Sequence, residues 1–235
     1  MSIQPYGNIC PISHACELLQ PRWTIPILSA LWAGATRFNE IKREVGNISP
    51  ALLSKRLREL EVAGLVERID DPATGAVDYI RTPSAIELEP MLNELAMWAQ
   101  RHIKAEDALE NLNVSNLMWK FRRYFVREHL PKRRVVLQFR FEDEGLDYNT
   151  YWALINPGAE VEMCSSIPGF DVDLYIETHS HVLSCILLGR TTVAREIEAG
   201  RLFLSGDARL AKTMQRWISV TDYADQDGVQ MLAAE

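Results

Sequence analysis

Residues 37–82 decide the fold of the first half of the chain, and they read RFNEIKREVGNISPALLSKRLRELEVAGLVERIDDPATGAVDYIRT. Apolar residues recur every three or four positions over residues 37–45, which predicts a short helix that Gly46 ends. Ser49 is a favourable N-cap and Pro50 suits a first helical turn, so a second helix is expected to begin there.

Two strand-like runs follow the second helix. Residues 65–69 and 77–82 flank the turn-rich loop 71–75, so they are expected to form a hairpin. The second helix turns Leu53 and Leu57 inward and leaves small and basic residues pointing outward. Such a helix can lie in the major groove of DNA, where its side chains reach base edges and phosphates. The alternative is that the two helices only pack as a scaffold.

The local charge favours double-stranded DNA as a partner. Residues 37–58 carry six basic and two acidic side chains, a net charge of +4, whereas the whole chain carries −7. A basic patch on an acidic chain is typical of a phosphate-binding surface. The residues predicted to contact DNA are Arg37, Asn39, Lys42, Ser49, Pro50, Ala51, Ser54, Lys55, Arg58 and, from the hairpin, Arg81.

Short motifs within residues 9–105 carry a family resemblance. They are Cys10-Pro11, Arg22-Trp23-Thr24, Arg37-Phe38-Asn39-Glu40-Ile41, Ile48-Ser49-Pro50, the run from Leu53 to Glu61, and Gly64-Leu65-Val66. In order and spacing they resemble the HxlR-type winged helix-turn-helix transcriptional regulators. The resemblance implies a homodimer bound to a DNA operator, with the helix that starts at Ser49 in the groove and the hairpin as the wing.

A long helix is predicted after the hairpin, from Pro83 to about Lys104. Its apolar residues recur at the spacing of a coiled coil, which favours a role in the homodimer over a purely intrachain one. They are Leu88, Met91, Leu92, Leu95, Trp98, Ala99, His102 and Ile103.

The sequence predicts an α+β protein with two domains. Residues 1–107 form the expected winged helix-turn-helix domain for DNA binding and dimerisation, and residues 115–235 form an α+β domain with an open sheet covered by helices. The connection loses the wide apolar stripe and has no Gly/Ser linker. Strands are expected at 134–141, 148–155, 159–165, 171–177 and between Gly200 and Asp207, and helices at 180–188, 192–199 and 208–219.

A second resemblance concerns residues 115–220. The run Gly200–Asp207, with Leu210-Ala211 and the preceding strand over residues 172–176, is similar to the sterol-carrier-protein-type lipid-binding domain. That resemblance implies an apolar cavity for a small ligand. Its candidate lining residues are Trp152, Leu183, Leu187, Leu210, Met214 and Trp217. The alternatives are that these side chains are plain core, and that the domain only mediates oligomerisation or protein interaction.

The four cysteines are too few and too scattered for a disulfide framework. Some regulators of the first family sense oxidants through a cysteine near the N-terminus, which makes Cys10 a candidate redox residue. The alternative is a small buried hydrophobe, because no nearby Lys or Arg would lower the pKa of its thiol.

Catalysis, metals and cofactors are not expected. Cys10, His14 and Cys16 lack a second ligand cluster, and His179 and His181, which would share a face on a strand, lack a third ligand at a recognisable spacing. No nucleophile motif is present. The protein is therefore expected not to be an enzyme.

The expected location is the cytoplasm, without membrane insertion, because no stretch approaches a membrane span and the N-terminus lacks an apolar signal core. Basic and aromatic residues interleave over residues 119–125, which suits a membrane or nucleic-acid contact. A helix that packs its aromatic rings on the sheet explains them equally well.

Overall fold

The structure, a computed structural model, describes residues 5–104, 109, 112–143, 145, 148–225, 228–229 and 231–232. The contacts divide the chain into two compact units, Met1–Leu92 and Asn93–Glu235. The first unit holds a helix-turn-helix and a hairpin, and the second holds a sheet with helices. The predicted domain ranges stay predictions, and most of their boundary region (105–108 and 110–111) lies outside the described residues.

The first unit is mainly helical. Its elements are α1 (Pro11–Leu19), α2 (Thr24–Trp32), α3 (Phe38–Val45), α4 (Pro50–Val62), β1 (Val66–Asp70), β2 (Val77–Arg81), α5 (Pro83–Glu87) and the start of α6 (Glu89–His102). Its core forms where α2, α3 and α4 bury Ile27, Ile41 and Leu53 together.

Local signals explain the helix-turn-helix. Gly46 ends α3 with φ at +88°, a conformation that glycine adopts without strain. Ser49 Oγ accepts a hydrogen bond from Leu52 N at 3.3 Å and caps α4, whose first residue is Pro50. Strands β1 and β2 pair antiparallel, with Val66 opposite Arg81. The predicted helix pair and hairpin are confirmed.

The predicted helix from Pro83 to Lys104 is wrong as one element. Leu88 separates α5 from α6, and α6 ends at His102. The break lies two residues before Pro90, which has no N–H to donate to the carbonyl of Ile86 and therefore suits the first turn of α6 better than the interior of one long helix. The apolar spacing runs across this break and does not reveal it.

The second unit contains a five-stranded mixed sheet. After α6 come α7 (Val114–Phe121), 3-10 turns at Arg122–Tyr124 and Arg127–His129, β3 (Val135–Phe141), β4 (Thr150–Ile155), β5 (Glu162–Cys164), β6 (Leu174–Thr178), α8 (Ser180–Leu187), α9 (Val193–Glu198), β7 (Leu202–Gly206), α10 (Ala208–Lys212) and α11 (Met214–Trp217). The order is β5-β4-β3-β6-β7, and only β3 and β6 pair in parallel within the described sheet.

The predicted strands are all present, but the helix expected over residues 208–219 is wrong as one element. Thr213 separates α10 from α11, and its Oγ1 donates to the Arg209 carbonyl at 2.8 Å. A side chain that bonds the backbone in this way competes with regular helical hydrogen bonding.

One face of the sheet meets the helices. Val135, Leu137 and Phe139 alternate along β3 into a core that they share with residues of α7 to α11. The opposite face carries the exposed side chains of Tyr175 and Phe203. Within the described parts of the chain, no helix has the length and apolar character needed to cross a bilayer.

Candidate nucleic-acid interface

Helix α4 presents two different faces. Leu53, Leu57 and Leu60 are at most 3% exposed and fix the helix in the core of the first unit. On the outward side, Ala51, Ser54, Lys55 and Arg58 are exposed, as the sequence predicts. The outward side chains therefore stand on a rigid support, which a contact with base edges requires.

The basic residues of α4 differ in how they are held. Lys55 Nζ lies 3.9 Å from Glu59 Oε1, an exposed pair that costs little to separate. Arg58 forms no ion pair with any residue that the structure describes. Arg56 instead pairs with Glu59, and its Nε donates to the Arg22 carbonyl at 3.0 Å. Lys55 and Arg58 remain the available cations, and Arg56 is structural.

Two of the predicted phosphate contacts are paired within the first unit. Arg37 Nε lies 2.6 Å from Asp78 Oδ1, and Arg81 Nη1 lies 3.1 Å from Glu89 Oε2. The Arg37 pair links the start of α3 to the wing, the hairpin of β1 and β2. Sequence reasoning missed both pairs because the partners lie on other elements. Each guanidinium group therefore already has a carboxylate partner, which weakens its attraction for a phosphate.

The remaining predicted contacts lie around α3 and the start of α4. Asn39 is exposed, Lys42 is half-buried, and Ser49 and Pro50 are exposed at the first turn of α4. With the outward residues of α4, they form the candidate surface.

The loop of the wing is acidic. Asp71 accepts hydrogen bonds from Thr74 Oγ1 and from Ala73 N at 2.9 Å. These bonds, that of Thr74 first, lower the pKa of the Asp71 carboxyl. A carboxylate at this position repels phosphate, so we expect α4 and not the loop to approach DNA most closely.

Cys10 is exposed immediately before α1. Backbone N–H groups of Ser13 and then Ile12 lower the pKa of its thiol, as a helix N-terminus does for a neighbouring anion. The alternative of a buried small hydrophobe is therefore wrong. The lowering groups are backbone amides, which a search for nearby Lys or Arg cannot detect.

The ligand candidates of the second unit are core residues. Five of them, at most 5% exposed, belong to one apolar cluster: Leu183, Leu187, Leu210, Met214 and Trp217. Trp152 lies between Tyr151 and Ala153 on β4, which both face that cluster, so its side chain points to the opposite face. The structure brings five of the six together and separates Trp152.

The geometry of α3, α4 and the wing defines a helix-turn-helix protein. A family model described as HxlR-like helix-turn-helix matches residues 18–107. An uncharacterized HTH-type transcriptional regulator of Bacillus subtilis, YvaP, is 37% identical over 99 residues, which are 41% of this chain and 92% of the relative. The chain therefore belongs to the HxlR-like helix-turn-helix family, whose matched members are named as transcriptional regulators.

Another relative has solved structures. The HTH-type transcriptional regulator YodB of Bacillus subtilis is 35% identical over 106 residues, which are 44% of this chain and 95% of the relative. Its reduced form covers 41% of this chain and 96% of its own, with 34% identity and a TM-score of 0.37. These matches concern less than half of the chain.

Proposed function

We propose that the protein is a homodimeric, sequence-specific regulator of transcription that reads its operator with α4. The observation that carries this proposal is that Ser54, Lys55 and Arg58 are exposed on one face of α4, while the leucines on its other face are buried in the core. Serine, lysine and arginine at the start of a groove-binding helix can donate to base edges and phosphates. Since it acts on chromosomal DNA, we place it in the cytoplasm.

Apolar exposure on two helices supports the homodimer. Along α6, Met91, Leu95 and Trp98 are each about half exposed and follow one another at helical spacing. Ile9 and Ile12, beside and within α1, are 97% and 73% exposed. Apolar groups at this spacing favour burial against a second copy, and a two-fold dimer fits half-sites about 10 bp apart or a multiple of that.

DNA-binding titrations test the proposal. Fluorescence anisotropy with fragments from around the gene should show salt-dependent, saturable binding by the full chain. The Lys55→Ala, Arg58→Ala double variant should lose about 1–3 kcal/mol for each base contact removed. Lys212→Ala, Arg216→Ala is the matched control, because both residues are exposed cations of the second unit. Undiminished binding by the Lys55/Arg58 variant would reject α4 as the reading helix.

For the second unit, we propose control by an apolar ligand. The convergence of Leu183, Met214 and Trp217 in one core and the sterol-carrier resemblance support it, whereas their near-complete burial favours the competing assembly function. Native mass spectrometry of the purified protein and titration with fatty-acyl ligands separate the two. If the ligand changes operator affinity by about 1–3 kcal/mol, the second unit acts as a ligand sensor. If no apolar ligand binds with a dissociation constant below about 1 mM, the assembly function replaces the sensor function.

A second candidate function is redox sensing through Cys10. The observation that favours it is the exposed thiol with a lowered pKa. Attack of the thiolate on hydrogen peroxide forms an S–O bond, breaks the O–O bond and gives a sulfenic acid and hydroxide, which takes a proton from solvent to become water. Peroxide should change operator affinity in the native protein and in Cys16→Ser, another exposed cysteine, but not in Cys10→Ser. An unchanged response of Cys10→Ser would exclude this function.

A further inference from the structure

Three metal-ligating side chains meet in the second unit, outside its apolar cluster of ligand candidates. Asp143, His179 and His181 each offer one ligand atom, and these atoms all lie within 4.8 Å of one another. Asp143 comes two residues after β3, His179 immediately precedes α8, and His181 lies in its first turn. From the sequence, the two histidines were considered as neighbours on one face of a strand, but the structure does not place them on a strand. They belong to the start of a helix.

The sheet explains how Asp143 reaches the histidines. Parallel pairing of β3 with β6 continues past the strand ends, where Glu142 N donates to the Thr178 carbonyl at 3.1 Å. Asp143 Oδ2 then accepts from Ser180 N at 2.8 Å, and Oδ1 accepts from Ser180 Oγ at 2.6 Å. The carboxylate is thus oriented beside both rings, and hydrogen bonds of this kind orient the carboxylate ligands of known metal sites.

We propose that Asp143, His179 and His181 bind a divalent transition-metal ion of the zinc class. Imidazole nitrogen and carboxylate oxygen are ligands that Zn²⁺, Co²⁺ and Ni²⁺ accept. Two histidines and one carboxylate provide three protein ligands and leave an open coordination position. Glu142 adds a second carboxylate nearby, with its Oε2 4.0 Å from His179 Nε2.

The distances are compatible with a bound ion after small side-chain rotations. A metal that binds nitrogen and oxygen at about 2.0–2.2 Å holds its ligand atoms about 3–4 Å apart, so no separation in the cluster has to close by more than about 1–2 Å. The side chains of His179 and Asp143 are 42% and 23% exposed, which leaves them room to rotate.

Helix capping accounts for only part of the cluster. Asp143 caps α8 through Ser180, and it does so without either histidine. The side chain of His179 makes no capping hydrogen bond. Its ring lies beside that of His181, with the two ring centroids 5.6 Å apart. A metal ion explains why both rings lie beside the carboxylate. It would link the end of β3 to the start of α8.

The test uses the full-length protein after treatment with a chelator. Titration with ZnCl₂ should raise its melting temperature and saturate at one ion per chain, because an ion that binds only the folded state stabilises it. The His179→Ala, His181→Ala double variant should bind Zn²⁺ roughly 100-fold more weakly. His129→Ala, which removes an exposed histidine outside the cluster, should bind as the native protein does.

A cobalt spectrum of the unaltered protein decides the matter if the double variant does not fold. Co²⁺ held by nitrogen and oxygen gives visible ligand-field bands without a thiolate charge-transfer band. A thiolate band would move the site to the cysteines and overturn the proposal. Equal Zn²⁺ affinity of the native protein and a folded double variant, or no melting shift at millimolar Zn²⁺, would also overturn it.

Discussion

The two units place their candidate residues in opposite environments. In the first unit Ser54, Lys55 and Arg58 are exposed on the outward face of α4. Leu57 is buried on the opposite face of the same helix. In the second unit the ligand candidates, such as Trp217, are themselves the core. Surface substitutions away from packing change stability little, whereas core substitutions change it strongly. Function and folding can therefore be separated by mutation in the first unit, but not at these positions in the second.

One ion pair from each unit shows the same contrast. Arg37 and Asp78 form a pair with side chains 49% and 29% exposed, and pairs of this kind contribute little because water screens them. Glu196 of the second unit is fully buried and accepts from Thr191 Oγ1 and from Arg201 Nε, the latter at 2.7 Å. Removing the hydrogen-bond partners of a buried carboxylate lowers the free energy of unfolding much more than removing an exposed ion pair does.

The largest expected effect is at Trp217. Its ring is fully buried, stacks on Phe125 and donates from Nε1 to the Leu210 carbonyl at 3.0 Å. Trp217→Ala should lower the free energy of unfolding by about 3–5 kcal/mol, measured by urea denaturation followed by circular dichroism. Phe203→Ala, at a residue 53% exposed, is the control. A loss below about 1 kcal/mol at Trp217 would indicate the loose core that a ligand cavity needs.

An intermediate effect is expected at Glu196. Burial by itself raises the pKa of this carboxyl, but hydrogen bonds from Arg201 and Thr191 and the charge of Arg201 outweigh it, and the pKa is lowered. Its stabilising contribution is therefore present above the unfolded-state pKa of about 4.3 and is lost as pH falls through the lower folded-state value.

The Glu196→Gln variant tests this pH dependence. It should be about 1–3 kcal/mol less stable than the native protein at pH 7, because charged hydrogen bonds are lost. The difference should shrink as the pH falls below about 4. Glu198→Gln, at an exposed residue of the same helix, should show no such trend. A difference that stays constant from pH 7 to pH 3 would contradict the ionised form of Glu196.

The smallest expected effects are at Arg37 and Arg81. Because each is paired with a carboxylate, replacing either by Ala should change operator affinity less than replacing Arg58 does. The slope of log affinity against log salt should flatten by clearly less than about one, the value for a full phosphate contact. Salt titrations of each variant measure it. Flattening by about one at Arg37 would show that this side chain makes a full phosphate contact in spite of its pair with Asp78.

Local sequence signals were enough to predict the helix pair and the hairpin of the first unit. The cap at Ser49, the proline after it and Gly46 act within a few residues, so α3 and α4 could be predicted with their ends. The break before Pro90 was also readable, but the apolar spacing of the long helix masked it. Side chains alternate between the two faces of strand β4, so Tyr151 and Trp152 cannot face the same core. That rule could have excluded Trp152 from the ligand candidates.

Contacts between distant segments could not be read from the sequence. The pair of Arg37 with Asp78 exists because the wing folds back beside α3, and no spacing rule gives that geometry. Asp143 joins the two histidines only because β3 and β6 are parallel neighbours. A search for a third ligand near His179 along the chain therefore finds none.

The parallel pair at the centre of the second sheet also affects how the chain folds during synthesis. Strand β3 cannot gain its β6 neighbour until residues 174–178 have left the ribosome, long after the first unit is complete. Pairing between segments so far apart pays a loop-closure cost that the local helices of the first unit avoid. We expect the helix-turn-helix to be folded on the nascent chain while β3 is paired with β4 alone and its other edge is still unpaired.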